Sequence, residues 1–85
     1  MAVLNVIVST SGECFGIQEI DFTEVTPRDI LSYFEETKLI PPSRGEGTRA
    51  ILKGNRVLDD NMSLDRLGVE DGDEIHIMER FGMYG

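Results

Sequence analysis

The chain of 85 residues contains a single cysteine, Cys14, so it has no partner for an internal disulfide and fits a reducing compartment. Its apolar runs fall short of the roughly 18 residues that a membrane-spanning helix needs. The first residues lead directly into a strand-like segment and lack the pattern of a signal peptide. These absences predict a cytoplasmic protein that makes no contact with a membrane.

Positive charge is scarce as well. The sequence has 8 lysines and arginines against 16 aspartates and glutamates, a net charge of −8 and a pI near 4.4. Nucleic-acid binding requires a basic face that neutralises phosphates, so this composition excludes a nucleic-acid partner. It favours a basic protein surface as partner. The plain alternative is that the charge only keeps a small protein in solution.

Residues that carry enzymatic chemistry are also few. His76 is the only histidine, so a second imidazole is missing for a typical metal centre. Cys14 on a predicted strand is more often a small buried hydrophobic residue than a nucleophile. The acidic turns at residues 59–60 and 71–73 lack the spacing of an EF-hand, and no glycine-rich phosphate loop is present. We therefore expect no enzymatic activity, no cofactor and no metal.

Alternating apolar residues predict five β-strands. They are expected at residues 3–8, 14–20 with a continuation to 22, 48–53, 56–58 and 74–79. A turn rich in serine and glycine joins the first two strands into a hairpin. A short turn around residues 63–68 precedes the last strand, whose apolar alternation places it beside the first strand in the sheet centre.

One helix is predicted between the second and third strands. Thr26 can cap its first turn, Pro27 suits its first position, and Asp29 favours the positive end of its dipole. Ile30 and Phe34 form its apolar face. The helix should end near residues 38–39, ahead of two prolines. The order β-β-α-β-β-β predicts an α+β fold with one helix packed across a mixed sheet of four to five strands.

Six residues follow the last predicted strand and end on Gly85. Without a linker or internal repeat, we expect one domain over residues 1–79 and a flexible tail over residues 80–85. Glycine has no Cβ, so a carboxylate on such a tail can enter a narrow channel and be activated there. The other interpretation is that the tail has no function.

Several segments, in this order, resemble the ubiquitin-like β-grasp family. They are residues 39–42 after the helix, 49–60 for two strands and their glycine turn, 63–69 for the short turn, and 71–77 at the start of the last strand. The resemblance covers nearly the whole chain and implies a β-grasp fold. It is more specific for the fold than for the function, because many modules share this fold.

The resemblance implies a protein modifier. In that family the carboxylate of the last glycine, here Gly85, is adenylated by an activating enzyme, passed to a thiol and joined to an amine. Arg80 matches the basic residue at the start of the family's tail. Phe81, Met83 and Tyr84 complete a tail that ends Tyr-Gly where the family ends Gly-Gly. That departure implies a dedicated, prokaryotic set of enzymes.

The implied partners are activating and conjugating enzymes, a deconjugating protease and a target protein. The protein itself is expected to be a monomer or to self-associate weakly through the tail. Two alternatives remain open. One is a ubiquitin-like interaction or adaptor module that is not conjugated, and the other is a sulfur carrier with a C-terminal thiocarboxylate.

A partner-binding patch is expected on the sheet. Alternation in the last strand points His76 and Met78 away from the helix. In the third strand Ile51 is expected to face outward beside them, with its two apolar neighbours facing the core. By resemblance these positions match the hydrophobic recognition patch of ubiquitin. Arg49 and Arg80 are expected to flank the patch and select an acidic partner surface.

Overall fold

The computed structural model describes residues 2–41 and 49–79 of the chain. They form an α+β structure that is compatible with a β-grasp fold. The elements in chain order are β1 (Ala2–Val8), β2 (Cys14–Ile20), α1 (Pro27–Glu36), β3 (Arg49–Lys53), β4 (Arg56–Val57) and β5 (Glu74–Glu79). In these ranges, no helix is long and apolar enough to cross a membrane.

The five strands form one mixed sheet in the order β2-β1-β5-β3-β4. β1 and β5 run parallel, and the other neighbouring pairs run antiparallel. The expectation that the last strand lies beside the first, in the centre of the sheet, is confirmed. β2 and β4 form the two edges.

The predicted helix start is confirmed in detail. The Thr26 hydroxyl accepts the N–H of Asp29 at 3.2 Å, and the Asp29 carboxylate accepts the N–H of Thr26 at 3.0 Å. This reciprocal pair satisfies two backbone donors that the first turn leaves free. Pro27 occupies the first helical position, where its missing N–H costs nothing.

The helix ends two to three residues earlier than predicted, at Glu36. Lys38 adopts a left-handed conformation with φ of 63°. The N–H of Leu39 then bonds the carbonyl of Phe34 at 2.9 Å, and the N–H of Lys38 bonds that of Glu35 at 3.1 Å. These two bonds are the Schellman arrangement, which closes a helix by reversing the chain direction. It ends the helix before the prolines are reached.

Replacing Lys38 with glycine is expected to stabilise the fold by about 0.5–1 kcal/mol, because glycine adopts this conformation without the steric cost of a Cβ. Lys38→Ala removes the same charge but keeps the Cβ, and should give no such gain. Urea unfolding of both variants at neutral pH measures the difference. Equal stabilities for the two variants would show that the left-handed turn carries no strain.

The second strand is also shorter than predicted and stops at Ile20. The Asp21 carboxylate accepts the N–H of Thr23 at 3.0 Å and its hydroxyl at 2.6 Å, which turns the chain. The hydroxyl bond, followed by the backbone bond, lowers the pKa of Asp21. The turn directs the chain from the sheet edge toward α1.

The core lies between α1 and one face of the sheet. β1 contributes Leu4, Val6 and Val8, each 5% exposed or less. Ile75 and Ile77 of β5 lie beside them, and Ile30 and Phe34 of α1 pack on this layer. Leu58, Leu64 and Val69, from the segment between β3 and β5, complete the same cluster.

The turn before β5 is held by Asp73. Its carboxylate accepts the N–H of Glu70 at 2.8 Å and forms an ion pair with Lys53 at 3.0 Å. The bond from Glu70 and then the contacts with Lys53 lower the pKa of Asp73. These contacts fix where β5 enters the sheet, and therefore which residues it presents on each face.

Candidate functional site

The sheet face opposite α1 carries an apolar strip. The strand register aligns one residue from each strand in a row, in the spatial order Cys14, Ile7, His76, Leu52 and Val57. We call these five residues the outer row. With strands about 4.8 Å apart, the row spans about 19 Å across the sheet.

A second pair extends the outer row toward the end of β5. Met78 lies opposite Ala50 in the register of β3 and β5. Met78 is 41% exposed and Val57 is 53% exposed. Ile7, His76 and Leu52 are half-buried between them. A contiguous apolar surface of this kind is typical of a binding site.

His76 is the polar centre of this surface. Its Nε2 lies 3.5 Å from the Glu74 carboxylate two residues earlier on the same face. Both residues are accessible to solvent, so a partner can reach the imidazole as donor or acceptor. The outer row therefore offers apolar contact on both sides of one group that can form hydrogen bonds.

The predicted positions of His76 and Met78 are confirmed, since both side chains lie on the face away from α1. The prediction for Ile51 is wrong. Ile51 is fully buried and lies opposite Ile77 in the core layer. Leu52, which was expected in the core, lies opposite His76 on the outer face. The alternation of β3 is therefore offset by one residue from the prediction. An offset of one residue exchanges the side chains that point to the two faces of a strand.

The prediction for Arg49 is wrong too. Arg49 is 8% exposed and points to the helix side of the sheet. Its Nε lies 2.5 Å from the Glu79 carboxylate, and its Nη1 lies 3.1 Å from the Glu35 carboxylate. It therefore joins β3, β5 and α1 and does not flank the outer row. We call Arg49, Glu35 and Glu79 the arginine cluster.

The tail residues Arg80, Phe81, Met83, Tyr84 and Gly85 lie outside the described residues. The last residue before them is Glu79, at the end of β5, where it pairs with Arg49 in the arginine cluster. Sequence reasoning did not identify Ile7, Leu52 and Val57 as site residues. The two-residue turn Gly54-Asn55 indicates that Leu52 lies opposite Val57, but not which face of the sheet the two residues share. Ile7 joins them through the pairing of β1 with β5.

Among residues 2–41 and 49–79, no group of three His, Cys, Asp or Glu side chains lies close enough together to hold a metal ion. Cys14 is exposed at the end of the outer row rather than buried as expected. It lies beside Ile7, and β1 separates it from His76. A thiol–imidazole pair is therefore not formed.

Comparison with known proteins leaves the family open. No protein-family model matches the sequence, and no curated protein matches it significantly.

Proposed function

We propose that this chain is a ubiquitin-like protein modifier whose partners bind the outer row. The observation that carries the proposal is the row itself, an apolar strip across all five strands with His76 at its centre. α1 packs on the other face of the sheet, so the strip is available without any change in the fold. A sheet face with contiguous exposed apolar residues suits recognition by a second protein.

Charge defines the kind of partner. The chain has a net charge of −8, and Glu74 lies on the outer face next to His76. A partner surface with apolar residues at its centre and lysine or arginine at its rim would match both features. We expect association to weaken as salt is raised, because charges at the rim are screened by ions.

The second part of the proposal concerns Gly85. β5 carries His76 and Met78, and its sequence continues through Arg80 to this glycine. An enzyme bound at the outer row would lie close to the point where the chain leaves the sheet. In the reaction the glycine carboxylate attacks ATP and releases pyrophosphate, and a cysteine thiolate then displaces AMP. An amine of the target finally displaces the thiolate to form the amide.

Tyr84 distinguishes this end from the usual Gly-Gly. Its side chain requires an aromatic slot in the activating enzyme, so the proposal includes a dedicated enzyme. Both ATP and a free thiol are needed, which places the system in the cytoplasm.

A second candidate function is a ubiquitin-like interaction module that is not conjugated. The observation in its favour is that the outer row is formed by the five strands of the sheet and includes none of residues 80–85. The two functions share one surface and differ only in the chemistry of Gly85.

One experiment separates them. The full chain is incubated with ATP, Mg²⁺ and the purified products of its neighbouring genes, and the protein is analysed by mass spectrometry. An adenylate at Gly85 followed by a thioester or an amide supports the modifier. Partner binding that persists after deletion of residues 81–85, with no chemistry at Gly85, supports the module.

Two variants make the result specific. Gly85→Val blocks the chemistry and leaves the outer row intact, whereas Leu52→Glu places a charge in the row and leaves the tail intact. The modifier requires that each variant lose conjugation. A sulfur atom in place of one carboxylate oxygen of Gly85 would instead identify a sulfur carrier and overturn both candidates.

A further inference from the structure

The outer face of the sheet is apolar up to the point where the chain leaves it. Met78 is 41% exposed on this face, and the next residue, Glu79, is the last of β5. Glu79 lies opposite Arg49 in the register of β3 and β5, and the two side chains form an ion pair. The sheet therefore sets the position from which residues 80–85 continue, one residue beyond the apolar surface.

Residues 80–85 have the composition of a segment that can cover such a surface. Their sequence is Arg-Phe-Gly-Met-Tyr-Gly, with three large apolar side chains and no acidic one. The other long stretch outside the described ranges, residues 42–48, is Pro-Ser-Arg-Gly-Glu-Gly-Thr and has no aromatic or long aliphatic side chain. Contact between the tail and the outer row would remove apolar area from water on both surfaces.

The tail is also long enough to reach the centre of the outer row. A segment packed on a sheet face lies about 10 Å above it, and His76 lies about 10 Å back along the strand from Glu79. The straight distance from Glu79 to a position above His76 is therefore about 14 Å. Five extended residues span about 17 Å, so Tyr84 can reach this position. Gly82, midway along, can adopt the conformations of a tight turn without steric cost.

Charge and connectivity favour the tail of the same molecule over a second copy. Each copy has a net charge of −8, so two copies repel each other. A segment joined to the domain by a few residues is present at an effective concentration on the order of millimolar, whatever the dilution. The tail also brings Arg80 to an outer face that carries Glu74 beside His76.

We propose that residues 80–85 fold back over the outer row of the same molecule. The Tyr84 ring lies against Leu52 and His76, where its hydroxyl can form a hydrogen bond with the imidazole or with water. Met83 covers the exposed side chain near the end of β5. The tail and a partner protein therefore compete for one surface.

For a modifier this competition is a form of regulation, and that consequence rests on the function proposed above. While the tail is docked, Gly85 is held against the sheet and is not available to an activating enzyme. A protein that binds the outer row displaces the tail and frees Gly85. Recognition of the domain therefore precedes activation of its end.

NMR of the full chain, labelled with ¹⁵N and ¹³C and without any partner, tests the docking. We expect NOEs from the Tyr84 ring to the side chains of Leu52 and His76, with the same relative intensity at about 0.05 mM and about 1 mM protein. Tyr84→Ser should shift the amide signals of these two residues and leave that of Ile17, on the helix side, unchanged. Tyr33→Ser is the control, because it removes an exposed tyrosine on the helix side and should leave the outer-row signals unchanged.

The rate at which chymotrypsin cleaves the native chain after Phe81 provides a second measurement, followed by mass spectrometry. A docked tail is protected, and docking in about half of the molecules predicts cleavage about two-fold faster in Leu52→Glu, which places a charge under the tail. Ser32→Glu adds the same charge at an exposed position of α1 and should leave the rate unchanged. The dispersion of the amide spectrum shows that each variant is folded.

An absence of these NOEs at both concentrations would overturn the docking, as would equal cleavage rates in Leu52→Glu and the wild type. NOEs that appear only at the higher concentration would place the tail on a second copy and overturn it too. The measurements use neither ATP nor a partner, so they are separate from the test of the modifier. Conjugation at Gly85 without docking contradicts only the docking, whereas docking without any chemistry at Gly85 contradicts only the modifier.

Discussion

Replacing Ile51 with alanine is expected to destabilise the protein by about 2–5 kcal/mol, while Leu52→Ala is expected to cost much less. Ile51 has no exposed surface and packs in the core layer opposite Ile77. Removing its branched side chain leaves a cavity that neighbours on both strands and α1 cannot easily fill. Leu52 is only half-buried, on the outer face, so water already reaches part of its side chain.

Urea unfolding at neutral pH measures this pair. A domain of this size has a total stability of about 5 kcal/mol, so Ile51→Ala brings it close to unfolding. If that variant does not fold, Ile51→Val provides the milder test, with an expected cost of about 0.5–1.5 kcal/mol. A large loss for Leu52→Ala together with a small loss for both Ile51 variants would show that the two faces of β3 are reversed.

The same pair separates folding from recognition. Leu52 lies beside His76 in the outer row, so its removal is expected to weaken partner binding while the fold persists. Ile51→Val changes the core and leaves the outer row intact, so partner binding per folded molecule should be unchanged. Neighbouring residues on one strand thus serve two separate roles because successive side chains point to opposite faces.

Local signals in the sequence predicted most of the fold. Thr26, Pro27 and Asp29 marked the helix start correctly, because a capping box is encoded within four residues. The alternation around Ile75 and Ile77 placed β5 in the sheet centre. The end of the helix was missed, since Lys38 in a left-handed conformation has no signature in its residue type.

The phase of β3 could not be predicted from its own residues. Ala50, Ile51 and Leu52 are three consecutive apolar residues, and either phase buries apolar surface. Arg49 and Lys53 share a face with Ile51, and charged side chains usually lie on the face of a strand that meets solvent. In the fold, Arg49 and Lys53 extend along the core face and pair with the carboxylates of Glu79 and Asp73. The core face of β3 therefore carries charged residues, and its sequence does not show the usual alternation of apolar and polar residues.

The candidate site was predicted in part for the same reason. His76 and Met78 lie on a strand with clear alternation, so their outward direction followed from the sequence. Leu52, Ile7 and Val57 join them only through the register of three strand pairs.

Replacing Arg49 with methionine is expected to destabilise the protein by about 2–3 kcal/mol. Methionine keeps the length and apolar character of the side chain but leaves Glu79, whose side chain is only 15% exposed, without its cation. Removing one partner of a fully buried pair costs about 3–5 kcal/mol, and the partial access of water to Glu79 and Glu35 reduces this value. Urea unfolding at neutral pH measures the loss.

The double variant Arg49→Met/Glu79→Met should recover most of the lost stability and lie within about 1 kcal/mol of the wild type. It leaves Glu35 as the remaining charge of the arginine cluster, and the side chain of this residue is 32% exposed and can be hydrated. Lys53→Met is the matched control, because its ion pair with Asp73 is open to water and should contribute less than about 1 kcal/mol.

The outcome bears on function because Glu79 is the last residue of β5 and the sequence continues from it to Arg80. If Arg49→Met lowers stability and the double variant restores it, the cluster is an ion pair that defines where the chain leaves the sheet. The double variant then loosens the end of β5 without unfolding the domain. An enzyme bound at the outer row no longer receives the tail from a fixed point, so conjugation at Gly85 should fall while binding at the outer row persists. A double variant as unstable as Arg49→Met would show that the arginine contributes through packing and not through its charge.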